Sequence, residues 1–188
     1  GTLTGAASVV NYTQAFLMNL KATGSFVYIM QAETLFPYEL YILSNGSYVY
    51  EVKPDTGTSN LISSVGVAKD DGVTRVMVIT FATNAGDGAQ IQKIYTGVPG
   101  DTMEVLSATT TAATFNSGFN NPFTDVHYLA SGGGGGPAVS GSWLGQIRSW
   151  YDKEATADDV DIISAEYASG NFGASADATG NILSTITS

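Results

Sequence analysis

Cysteine is absent from this 188-residue chain, histidine occurs once, and lysine and arginine together number seven. Without cysteine there is neither a disulfide framework nor a thiolate metal site. A domain of this length can bury enough surface to fold without either. The shortage of bases counts against nucleic acid as a partner. Seventeen acidic residues against seven basic leave a formal charge of −10, which phosphate backbones repel, and no Lys/Arg cluster relieves it. Anionic membrane surfaces are disfavoured for the same reason. No run of about 18 apolar residues is present, so no membrane span is predicted. The chain opens on Gly1 rather than Met and is read as processed or excised from something longer, with no signal peptide in view.

What the sequence does have is apolar and aromatic weight with many turns. Hydrophobic residues make up 44%, and the chain holds 10 Tyr, 8 Phe, 2 Trp and 22 Gly. That is too apolar for disorder and suits one all-β domain. Strand-like pieces rich in β-branched and aromatic residues recur at 24–33, 38–54, 74–83 and 89–97, with weaker ones at 101–115 and 123–132. Turn signals separate them: "SNGS" at 44–47, "KPDTGT" at 53–58, "KDDG" at 69–72, "NAGDG" at 84–88 and "VPGD" at 98–101. Asn45-Gly46 predicts a two-residue hairpin turn. "QAFLMNL" at 14–20 is ambiguous between strand and helix. No internal repeat of fixed period is visible, which argues against a propeller or solenoid.

The most informative stretch is "GSWLGQIRSWYDKEATADDVDIISAEYASG" at 141–170. Strict alternation predicts Trp143, Gly145, Ile147 and Ser149 on one face of a strand, with Leu144, Gln146, Arg148 and Trp150 on the other. Gly145 is expected to admit close approach of a backbone or ring. Thr156 is a natural N-cap with Asp159 three residues on. Val160, Ile163 and Tyr167 then follow at helical spacing, and Gly170 stops the helix. One late helix lies as a lid on a β core.

These residues resemble the closing segment of the concanavalin A-like lectin/glucanase superfamily, in its laminin-G-like and pentraxin-like branch. Gly145, Ile147, Arg148, Trp150 or Tyr151, Ala155, Thr156 and Val160 occupy comparable places, with Ala155 where Leu is usual. Upstream, "KDDGVTRVMVITFAT" is similar to another strand of that family, with Thr74-Arg75 in place of a Trp-His pair. The resemblance spans about 20–170. It implies a jelly-roll sandwich of two antiparallel sheets with one short C-terminal helix over 1–172, followed by a final strand or linker tail at 173–188.

Catalytic patterns are missing along the chain. Hydrolytic members of that superfamily alternate acidic residues on one strand; here no Glu has a carboxylate two or four places away on the same strand face. His127 is the sole histidine and lacks a nucleophile elbow or catalytic cysteine. "SGGGGGP" at 131–137 lacks the Lys-Ser/Thr of a phosphate loop and reads as a surface loop. The acids of "DDVD" at 158–161 belong to a helix start.

For ligands, the most suggestive segment is "FNSGFNNPFTD" at 115–125. There Phe119, Asn120, Asn121 and Asp125 combine a ring for sugar stacking with amides and a carboxylate for hydroxyls. The tyrosines of the 38–50 hairpin form either a recognition face or cross-strand pairs. Domains of the resembled branch often hold calcium through loop carboxylates, so Ca2+ is admitted as a cofactor. Its candidate ligands are Asp70, Asp71 and Asp87, with Asp55 and Asp101 behind them in similar turns. Asn11-Tyr12-Thr13 and Asn45-Gly46-Ser47 match the glycosylation pattern. The expectation is a non-catalytic recognition module for carbohydrate, extracellular or at a cell or virion surface. Its partner would be a glycan or surface protein, within a multidomain chain or oligomer. The alternative is a structural or adhesive domain of a larger assembly such as a virion fibre, capsid appendage or surface layer, with a glycanase or polysaccharide lyase behind both.

Overall fold

A computed structural model describes residues 11–21, 27–32, 38–45, 47–52, 60–63, 71–83, 90–110, 126–128, 141–151 and 153–171. They form ten strands and one helix: β1 (Asn11–Lys21), β2 (Val27–Ala32), β3 (Tyr38–Ile42), β4 (Tyr48–Val52), β5 (Asn60–Ser63), β6 (Asp71–Thr83), β7 (Gln90–Gly97), β8 (Glu104–Thr110), β9 (Val126–Tyr128), β10 (Trp143–Tyr151) and α1 (Ala157–Ser169). All pairings are antiparallel. One five-stranded sheet runs β10-β1-β6-β7-β8 and the other β5-β4-β3-β2-β9. The expected antiparallel sandwich with a single late helix is what the chain adopts.

The core explains why some strands read clearly in the sequence and others do not. Tyr12, Phe16, Met18 and Leu20 of β1, and Met77, Ile79 and Phe81 of β6, enter the sandwich. They meet Ile29, Met30, Leu40, Ile42, Tyr48 and Tyr50 of the facing sheet. The alternate residues, Ala15 of β1 with Val76 and Val78 of β6, lie under α1 with Tyr95, Val160, Ile163 and Tyr167. β1 and β6 are therefore buried on both faces, and such strands lose the apolar/polar alternation that identifies a half-exposed strand. That is why 14–20 looked helical or extended with equal right. Gln92 Nε2 donates to Tyr50 O across the interior at 3.2 Å, tying the sheets together.

Three sequence expectations need correction. β6 begins at Asp71, inside the segment expected as a turn at 69–72. β3 and β4 pair Ile42 with Tyr48, and Leu43 N–H donates to Ser47 O. The connection is thus three residues long rather than two; Asn45 Oδ1 accepts the Ser47 N–H, stabilising the longer turn. On β10, alternation is broken by a bulge. Ala15 pairs with Arg148 and Leu17 with Gly145, so Gln146 and Ile147 together oppose Phe16, and Gln146 takes φ 51. Leu144 therefore joins Ile147 on the sandwich side, while Trp150 goes under the helix. β5 was not anticipated. At 98–101, by contrast, Asp101 N–H donates to Val98 O at 3.0 Å with Gly100 at φ 91, the type II turn that Pro99-Gly100 favours. The tail at 173–188 lies outside the described residues.

Candidate functional site

The helix determines which part of the outer sheet remains open. Thr156 caps it reciprocally with Asp159, and Gly170 ends it at φ 72. Thr13 Oγ1 of β1 donates to Lys153 O and accepts Ala155 N–H, so the chain entering the helix is pinned to the sheet. Farther along, Arg148 Nη1 donates to Glu166 Oε2 at 2.8 Å, with side-chain exposures of 13% and 4%. The same guanidinium lies 4.8 Å from the centre of the Trp150 ring. Tyr167 O–H donates to Gln146 O, and burial pushes its phenol well above the ordinary range. Ser164 Oγ, on the far side, accepts the Gly100 N–H. The helix end is thus held between the β10 bulge and the β7–β8 turn. A shallow depression lined by Thr13, Trp150, Lys153, Ala155, Asp159 and Ile163 lies where the chain enters the helix.

Past the helix, three strand ends continue as an open ledge. Trp143, Asn19 and Thr74 are cross-strand partners on β10, β1 and β6, so they share the outer face. Trp143 is 42% exposed. Its six-membered ring leans over Gly145, with two ring carbons 4.0 Å from where a Cβ would stand. That is ordinary contact, so the expected tight approach at Gly145 is absent; what the glycine provides is a low floor for the ring. Asn19 Nδ2 donates to Gly72 O at 2.7 Å and Thr74 Oγ1 at 3.2 Å, leaving Oδ1 without a partner. Lys21 is exposed; its stem passes Gly72 and its ammonium lies beside Gly141, 3.3 Å from that residue's Cβ position.

A second constellation appears on the other sheet, where only strand pairing reveals it. Glu39 of β3 and Glu51 of β4 are direct partners, and the row continues through Gln31 to His127. Glu39 is 7% exposed. Opposed residues place their Cβ atoms about 5 Å apart, so the two side chains leave the sheet side by side. The sequence alone shows no such pair, because the two glutamates meet across strands and not along one.

Of the residues singled out beforehand, Phe119, Asn120, Asn121, Asp125, Asp70, Asp87 and Asp55 lie outside the described residues. Asp71 is committed elsewhere: Arg75 Nη2 donates to its Oδ2 at 2.7 Å, and Val73 N–H to its Oδ1 at 3.0 Å. The Arg75 hydrogen bonds hold the Asp71 carboxyl down at about 2. Asp101 is exposed in its turn. Among the described residues no three His, Asp or Glu side chains gather as a metal site. Tyr48 and Tyr50 are core residues rather than a recognition face. Trp143 was placed on its strand beforehand but not singled out as a binder. Its signal was an exposed aromatic two residues before a glycine.

Two antiparallel sheets with one covering helix put the chain in the class of all-β sandwich domains. Solved structures sharing this fold include receptor-binding domains of botulinum neurotoxins. The serotype D binding domain is similar over 89% of this chain and 38% of its own length, with a TM-score of 0.60 and 11% identity. The binding domain of neurotoxin DC, solved in complex with SialylT, matches over 83% and 35%, with a TM-score of 0.53 and 14% identity. A structure of botulinum neurotoxin type C, whose cell entry is dependent upon interaction with two ganglioside molecules, matches over 84% and 36%, with a TM-score of 0.51 and 16% identity. This chain therefore spans less than two fifths of the length of these three structures. No protein-family model and no curated protein matches it.

Proposed function

We propose that this chain is a carbohydrate-recognition module of the concanavalin A-like, laminin-G-like type, acting outside the cell as a binder rather than a catalyst. The observation that carries the reading is Trp143: an indole 42% exposed, on the outer face of β10 in register with Asn19 and Thr74. Stacking of sugar C–H groups on an aromatic face, flanked by hydrogen-bonding groups, is the chemistry that holds carbohydrate. Support comes also from neighbours of the same fold: one is a neurotoxin binding domain in complex with SialylT, another belongs to a neurotoxin whose cell entry depends upon two ganglioside molecules. A glycan array, run with and without a calcium chelator, tests it. Binding to at least one glycan class is expected, and no binding in either condition overturns the proposal.

A second reading is favoured by the Glu39–Glu51 pair alone. Two carboxylates on one face of adjacent strands are the pairing a glycosidase uses, one attacking and one protonating. Release of reducing ends from polysaccharides, lost in Glu51→Gln, would support it; no release from a broad polysaccharide panel would remove it.

A further inference from the structure

We infer that the β3–β4 connection is a self-modifying site: the Asn45 side chain closes onto the Gly46 backbone nitrogen, loses ammonia and hydrolyses to aspartate and isoaspartate. The inference stands apart from the carbohydrate reading, and its only co-reactant is water.

The sequence supplies the reactive pair. Asn45-Gly46 is the one Asn-Gly step in the chain. The Gly46 nitrogen follows the Asn45 carbonyl directly, so covalent connection brings it within ring-closing reach of the side-chain carbon Cγ. Glycine has no Cβ to hinder that closure or to restrict the backbone that must bend for it. Gly46 lies outside the described residues; its part in the step is set by its place in the chain.

The structure leaves this asparagine open to reaction. Asn45 is exposed, in a connection outside the ladder that ends at Ile42 and resumes at Tyr48. Water and base therefore reach it. Ser47 N–H donates to Asn45 Oδ1 at 3.0 Å. As the nitrogen adds to Cγ, negative charge develops on Oδ1, and a donor already in place stabilises it. Nδ2, the leaving group, has no hydrogen bond among the described residues. Asn19 is the contrast. Its Nδ2 donates to Gly72 O and Thr74 Oγ1, and the Leu20 that follows it is buried within β1.

The step balances without oxidant or cofactor. The Gly46 nitrogen gives up its proton, and its electron pair forms the bond to Cγ. The Cγ–Nδ2 bond then breaks, and the amide nitrogen leaves with that proton as ammonia. Water opens the ring at Cγ to give aspartate, or at the main-chain carbonyl to give isoaspartate. The two products do not fit the turn equally. Aspartate keeps Oδ1 on the Ser47 N–H, now as a charge-assisted bond. Isoaspartate routes the main chain through Cβ and Cγ, which lengthens the connection and turns the capping carbonyl into backbone. The strain falls on the Leu43 N–H bond to Ser47 O and on the Ile42–Tyr48 pair, where Tyr48 is fully buried. That connection also sets the register in which Glu39 meets Glu51. Either product adds a negative charge to a chain already at −10.

Incubation of the native protein in neutral buffer, read by peptide mass mapping and ammonia release, tests the inference. Asn45 should convert ahead of every other asparagine, to both aspartate and isoaspartate. Gly46→Ala should slow the conversion about tenfold, an added barrier of about 1.4 kcal/mol. The separated isoaspartate form should melt below wild type, whereas Asn45→Asp should melt close to it. Asn45 left intact in the native protein, whether or not the urea-unfolded chain converts, overturns the inference. Conversion at Asn11 or Asn19 ahead of Asn45 overturns it as well. An isoaspartate form as stable as wild type overturns the unequal fit of the two products.

Discussion

The Arg148–Glu166 pair shows how one residue's surroundings set its worth. Both side chains are largely withdrawn from water, so each is the other's replacement for lost hydration. Glu166→Gln leaves a buried guanidinium without its counter-charge and should destabilise the fold by about 3 kcal/mol, read from urea unfolding. Asp71–Arg75 is the contrasting case, with Asp71 44% exposed. Its folded-state carboxyl sits at about 2, below the unfolded value near 3.9. The stabilisation is therefore present above about pH 4 and lost as pH falls through about 2. Exposure holds it below about 1 kcal/mol. Asp71→Asn should be slightly less stable at neutral pH and converge on wild type as pH falls below about 2; a difference undiminished at about pH 1 would contradict this. Thr156, Asp159 and Gly170 were legible in the sequence because a cap depends on residues three or four places apart. Glu39 and Glu51 were not, because their meeting depends on which strands pair and in what register.

Elements follow the same division. α1 was readable because cap, stripe and stop are all local, and its existence and face came through intact. Thr156→Ala should cost about 1 kcal/mol. Ile163→Ala, which empties part of the interface with Val76 and Val78, should cost about 2 to 5 kcal/mol. Urea midpoints measure both, and a smaller loss at Ile163 than at Thr156 would show that capping rather than docking holds the helix. β1 was ambiguous for the opposite reason: burial on both faces erases alternation. β10 misled by one residue, since the Gln146 bulge shifts phase halfway along the strand. No rule of composition places a bulge there; it arises as β10 follows β1 and as Tyr167 engages the carbonyl of Gln146.

At the scale of the molecule, β1 and β10 come from opposite ends of the described chain and lie side by side. Closing such a long loop before any contact rewards it makes folding slow, on the order of milliseconds to seconds. Unfolding in urea should be one transition, with tryptophan fluorescence from β10 and far-UV circular dichroism coinciding; separated midpoints would show that the sheets unfold independently. The sequence by itself determined the all-β class, most strand positions, the capped helix and the acidic surface, because these depend on local pattern and composition. Tertiary structure alone decided that Trp143 stands in line with Asn19 and Thr74, that Lys21 lies beside Gly141, and that two glutamates face each other across strands. The physical reason is that antiparallel pairing joins residues far apart in the chain, and the register of that pairing is set by the whole core rather than by any one segment.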